Sequence, residues 1–139
     1  VGFDTMKRLL EVAKRYRPAR TKVKFRKGRD LLPAYAWTDE DGIKWIEVPR
    51  LECRDSLYIY LHECAHHHLG HCRDGYDAPL WKMEYEAEQW AIATMRREGI
   101  PVSRKMVASA KAYIRDCIKE DKKKGRPMPP ARILRWCRR

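Results

Sequence analysis

Apolar residues recur at helical spacing at the start of this chain and through its second half, and alternate with polar ones in between. Phe3, Met6, Leu10 and Ala13 mark a first helix, with Asp4 as its cap and Pro18 just past its end. Thr21-Lys22-Val23-Lys24-Phe25-Arg26 then alternates with a period of two, and its outward lysines predict an edge strand. Tyr35-Ala36-Trp37 and residues 43–48 flank Asp39-Glu40-Asp41-Gly42, a hairpin signal. These segments predict about three strands in a small antiparallel sheet.

Pro49 ends the sheet, and Asp55 or Ser56 can cap a helix that runs to about Gly70. A loop over residues 71–79 leads to a second long helix from about Leu80 to Arg97, closed by Gly99 and Pro101. Ser103 starts a third, whose apolar stripe includes Met106, Ala110, Tyr113, Ile114 and Cys117. Its opposite face carries Arg104, Lys111, Arg115 and Lys122. Residues 122–130 have the composition of a linker, and Ile133, Leu134 and Trp136 offer a short docking segment.

Length and charge bound the picture further. A chain of 139 residues accommodates one ordinary domain, expected over residues 1–121 and followed by a basic, Pro-containing tail over 122–139. The formal net charge of +12 is concentrated at the ends. Residues 1–32 hold 11 Lys and Arg against 3 Asp and Glu, and residues 122–139 hold 8 against none. Basic ends attract polyanions, so nucleic acid is an expected partner, with Lys111, Arg115, Lys122, Lys123, Lys124 and Arg126 as its candidate contacts. The five tryptophans form no spaced stacking platform and read as core.

No segment approaches the roughly 20 apolar residues that span a bilayer, and Val1-Gly2-Phe3-Asp4 lacks the layout of a secretory signal. Five scattered cysteines without a C-x-x-C pair argue against a disulfide framework or a separate zinc knuckle. A reducing cytoplasm is the expected compartment.

The candidate chemistry lies in the apolar run of residues 57–69, which contains the H-E-x-x-H pentad His62-Glu63-Cys64-Ala65-His66. On a helix the two histidines fall one turn apart on one face and can reach one Zn²⁺, with Glu63 beside it as general base. A catalytic zinc needs three protein ligands and an open position. The pattern H-E-x-x-H-x-x-G-x-x-H does not continue here, since Leu69 and Cys72 stand at its last two positions. The next helix supplies the third ligand instead. Glu84 and Glu88 share a face with Leu80, Ala87, Ala91 and Met95, whereas Glu86 falls among Lys82, Gln89 and Trp90. Inward carboxylates beside alanines are best explained by a metal, so Glu84 is assigned as ligand and Glu88 as the acceptor that orients a ligand histidine. Cys72 is the rival ligand. His67, His68 and His71 point in other directions and read as surface or cleft-rim residues.

Residues 43–95 resemble the ImmA/IrrE family of zinc metallopeptidases, through the strand, Pro49, the pentad helix and Glu84-x-Glu86-Ala87-Glu88-x-Trp90-Ala91. The resemblance implies a compact gluzincin with His62, His66 and Glu84 on zinc, Glu63 as base, and Glu88 where the family has Asn or Asp. It also implies a bacterial, phage or mobile-element setting. After the second helix this chain has Thr94-Met95-Arg96-Arg97 in place of the family's Leu-Met-Pro.

The expected fold is thus α+β, a three-stranded sheet packed on the H-E-x-x-H helix and two further long helices. The expected function is cleavage of a protein or peptide, with a regulator or DNA-associated protein as the suggested substrate, by a zinc-activated water. Its oxyanion donor is sought among Tyr58, His71, Tyr76 and Tyr85. The alternative is a nucleic-acid-binding or interaction protein with a structural or idle zinc; Glu63 beside only three ligands favours the enzyme.

Overall fold

A computed structural model describes residues 5–28 and 30–139. The elements run α1 (Met6–Tyr16), β1 (Thr21–Arg26), β2 (Tyr35–Thr38), β3 (Lys44–Pro49), α2 (Arg54–His68), α3 (Leu80–Arg97), α4 (Arg104–Lys123) and α5 (Ala131–Trp136). The fold is α+β, as expected. No helix among the described residues is long and apolar enough to cross a membrane.

The sheet is mixed rather than antiparallel. Its order is β1-β3-β2, with β2 antiparallel and β1 parallel to the central β3. The reason is connection length. A tight turn joins β2 to β3, and Asp39 shapes it by accepting from the backbone N–H of Asp41 and Ile43, both at 2.9 Å, and from Trp45 Nε1 at 2.8 Å. β1 instead reaches β3 through the longer excursion that contains β2, which frees it to run parallel on the far edge. Trp37 and Trp45, paired across the hairpin, stack with centroids 6.0 Å apart.

Ile46 and Val48 turn the inner face of β3 onto α2. That helix buries residues on all sides, from Leu57 and Leu61 to Cys64 and Ala65, and forms the centre of the molecule. α1 leans on it through Leu9, Val12 and Ala13, where Tyr60 Oη donates to the Ala13 carbonyl at 3.0 Å. Met6 and Leu10, expected on this face, are exposed. The rotation of α1 follows the face that meets Tyr60, not the widest apolar spacing. Its cap is Thr5, which accepts from Arg8 N at 3.3 Å; the expected cap Asp4 and Phe3 lie outside the described residues. α2 starts from Cys53 as N-cap, two to three residues before the expected Asp55 or Ser56, and Ser56 closes its capping box, Oγ accepting from Cys53 N at 3.0 Å.

α4 packs along α3, and the segment after it folds back. The expected boundary at residue 121 falls inside α4, which continues to Lys123. Asp121 is buried and accepts from the first two N–H groups of α3, Leu80 at 3.1 Å and Trp81 at 2.8 Å, so one helix caps another. Trp81 Nε1 donates to the Pro127 carbonyl at 2.8 Å, and Arg126 pairs with Asp77. α5 then docks Ile133 against Trp81, Ile114 and Cys117 in a second apolar cluster.

Candidate metal centre

The pentad sits mid-helix in α2, and α3 crosses it with Ala87 and Ala91 fully buried at the contact. Small side chains there let the backbones approach, which brings Glu84 and Glu88 against the histidine face. His62 Nε2 stands 3.1 Å from Glu84 Oε1 and 3.2 Å from His66 Nε2, and His66 Nε2 stands 3.0 Å from Glu84 Oε2. All three residues are buried, and they form a group able to hold a metal ion. Ligands about 2.0–2.1 Å from a tetrahedral ion stand roughly 3.3 Å apart, so the three donors are close to the spacing such an ion requires.

The outer nitrogens explain how the donors are aimed. His62 Nδ1 lies 2.5 Å from Glu88 Oε1 in ion-pair geometry, and Glu88 Oε2 accepts from Tyr58 Oη at 2.6 Å. His66 Nδ1 lies 2.9 Å from His71 Nδ1, and His71 Nε2 lies 2.9 Å from Glu86 Oε1. These contacts suit Nδ1–H on His62 and His66 and Nε2–H on His71, although His62 Nδ1 meets Glu88 at close range without hydrogen-bond alignment. The Nε2 lone pairs of His62 and His66 then face each other and the Glu84 carboxylate with no proton between them. A cation resolves that convergence.

A proton can take the cation's place between these groups. Burial works against the charged form of Glu84, yet hydrogen bonding to His62 and His66 outweighs it and holds the carboxyl well below the usual range. Burial also opposes charge on His62, but Glu84 and Glu88 prevail and raise its pKa well above the ordinary value. Glu63 differs from both. Its carboxylate accepts no hydrogen bond among the described residues, and burial raises its pKa against the opposing pull of His62 and His66. A buried, basic, unengaged carboxylate beside the donor set is equipped to accept a proton.

The hydroxyl and imidazole candidates for an oxyanion donor separate here. Tyr58 is committed to Glu88, and His71 uses both ring nitrogens behind His66, so neither faces the converging donors. His71 arrives there because Gly70, at φ +76°, closes α2 in a Schellman turn: Gly70 N donates to the His67 carbonyl and His71 N to that of His66. Tyr85 packs edge-on against Trp136 in the second cluster. Tyr76 lies on the His71 ring at 5.2 Å and is the member of the four left near the site.

Other residues also fall differently from the sequence reading. His67 is buried, with Nε2 2.8 Å from the Trp45 carbonyl, and His68 reaches the Tyr16 carbonyl at 2.6 Å; both peg α2 to its neighbours. Glu86, placed by helical phase among Lys82, Gln89 and Trp90, supports His71. Cys72 lies near enough to Glu63 and Glu84 that, after burial, their charges help push its thiol up to about 11. It stands outside the converging group. Tyr113 of α4, which the sequence did not mark as a site residue, is exposed as a whole, yet partial burial and then the Glu84 charge raise its pKa. Its place on the α4 stripe was the available signal.

The basic contacts divide into two places. Lys111 lies over Trp136, with Nζ 5.7 Å from the ring centroid, and Arg115 donates to the Cys137 carbonyl. Lys122, Lys123 and Lys124 are exposed at the far end of α4, where Lys123 pairs with Glu120, and Arg126 pairs with Asp77. No protein-family model matches the chain, and no curated protein or solved structure is significantly similar to it.

Proposed function

We propose that this protein is a zinc-dependent metallopeptidase that cleaves protein or peptide substrates with Glu63 as general base. The observation that carries the reading is the buried convergence of two imidazole nitrogens and the Glu84 carboxylate, with Glu63 free beside them. Two imidazoles and a carboxylate suit zinc, and three ligands leave a coordination position open. The resemblance of residues 43–95 to ImmA/IrrE metallopeptidases supports the same assignment.

When bound, zinc polarises a peptide carbonyl and lowers the pKa of water to about 7. The chain's own residues do the rest. Glu88 and His71 hold the Nδ1 protons of His62 and His66, which turns both Nε2 lone pairs inward. Glu63, kept basic by burial, takes a proton from the attacking water and returns it to the leaving amine. Tyr76, against the His71 ring, and Tyr113, within reach of the Glu84 charge, are the candidate donors to a developing oxyanion.

The test is Glu63→Gln. The zinc-loaded variant retains metal and loses about 10²–10⁴-fold in cleavage of a quenched-fluorescent peptide library. Cleavage at the parent rate removes Glu63 from the mechanism, and no cleavage by the zinc-loaded parent counts against the peptidase reading itself.

A further inference from the structure

On the face of α4 turned away from the metal centre, the fold assembles a groove that neither basic end contains by itself. Arg96 from the last turn of α3, Arg104, Lys111 and Arg115 from α4, and Arg138 and Arg139 after α5 line one concavity of about 480 Å³. Among the described residues none of the six makes an ion pair with a carboxylate. We propose that this groove binds the sugar-phosphate backbone of one strand of a nucleic acid, independently of peptide cleavage.

Three properties point to that occupant. Five of the six cations are guanidinium groups, whose planar fork matches phosphate oxygens in pairs. Three of the cations form a row: Arg104, Lys111 and Arg115 lie on one face of α4 over a length of about 16 Å. Six cations, each neutralising one phosphate, set the salt dependence expected of the groove. The floor between them is aliphatic, formed by Val102, Val107 and Ala108, with no aromatic ring on which a base could stack. Recognition is therefore of backbone and not of sequence. A membrane surface fits less well, because the cations border a concavity.

Tertiary contacts hold the row in place. Arg115 ties the Cys137 carbonyl to α4, and the Lys111 ammonium rests over Trp136, so Arg138 and Arg139 are carried to the helix. The run Lys122-Lys123-Lys124 lies outside the groove, although it is the densest cluster of charge in the sequence. The proposal thus keeps Lys111 and Arg115 of the expected nucleic-acid contacts and leaves out Lys122, Lys123, Lys124 and Arg126.

The experiment compares two charge-matched triple variants of the full chain, Arg104→Glu/Arg138→Glu/Arg139→Glu and Lys122→Glu/Lys123→Glu/Lys124→Glu. Binding of a fluorescent mixed-sequence duplex and of a single strand is titrated across salt, with circular dichroism checking that both variants fold. For the parent on duplex, log K falls against log[salt] with a slope of about −5. The groove variant reduces that slope by about 3 and weakens binding at least about tenfold, whereas the control keeps the parent slope. The Gln versions of the groove substitutions give the same loss of slope if charge reversal perturbs folding. Equal weakening by both triples assigns the binding to bulk charge and overturns the proposal. So does tighter binding to vesicles containing phosphatidylglycerol, or equal competition by polyglutamate.

Discussion

The charges at the α2–α3 interface and those along the α4 groove are built on opposite principles. His62, His66, Glu84 and Glu88 are 5–8% exposed, and each lies within 3.2 Å of another member of the set. Arg96, Arg104, Arg138 and Arg139 are exposed and make no ion pair with a described carboxylate. Burial makes an unpaired charge costly, so every atom of the first set has a specified neighbour and a specified direction. Water screens the second set, and its members act together through the counterions they displace. One region is therefore sensitive to single atoms and indifferent to salt, and the other the reverse.

The contrast fails first if Glu84 is dispensable. Glu84→Gln keeps the shape of the side chain but removes its charge, and metal affinity falls by more than about 100-fold, the upper range for loss of a supporting partner alone. Competition with a chromophoric chelator measures this, and the loss is the same at low and high salt. A loss that disappears in high salt places Glu84 with the solvated charges.

A smaller effect tests whether the outer contacts aim the ligands. Glu88→Ala removes the acceptor at His62 Nδ1 and lowers metal affinity by about 10–100-fold. Tyr58→Phe deletes only the 2.6 Å hydrogen bond behind it and falls toward the lower end of that range. Tyr85→Phe, whose ring sits against Trp136, leaves metal affinity at the parent value. Equal losses in the two tyrosine variants would contradict the relay through Glu88.

The smallest effect belongs to a charge cluster between the two extremes. Glu98 bonds Tyr16 Oη at 2.6 Å and pairs with Arg8 and Arg15, joining α1 to the end of α3. The Tyr16 hydroxyl, with Arg15 and Arg8, holds its carboxyl below the ordinary value. A carboxyl depressed on folding stabilises fully above its unfolded pKa and loses that contribution as pH falls through the folded one. Urea titrations of parent and Glu98→Gln therefore differ near neutral pH, and the gap closes on acidification below the usual Glu range. High salt narrows it too. A gap that widens in acid reverses the assigned sign.

Much of the centre was readable before any fold was known. His62 and His66 share a helix face because they are four residues apart, and the same rule set Glu84 and Glu88 on the inward side of the next helix. Glu86 shows where the rule stops. Helical phase turned it away from Glu84, which is correct, but the Schellman turn at Gly70 carries His71 round to meet it. Two of the oxyanion candidates are drawn away by contacts of the same kind. Tyr58 and His71 are near the metal face, but their polar atoms are committed to Glu88, His66 and Glu86. The parallel pairing of β1 was also out of reach, since the alternation of residues 21–26 specifies a face and not a partner.

From the amino-acid order alone came what depends on neighbours within a turn or two: the main helices and strands, the paired histidines, Glu63 between them, and the inward carboxylates of α3. Those follow from backbone periods of 3.6 and 2, which no distant contact is needed to establish. Tertiary structure alone decided which nitrogen of each histidine faces inward, that Asp121 caps α3, and that arginines from α3, α4 and the segment after α5 share one groove. Each of these joins residues separated by loops, and only closure of those loops brings their side chains within reach.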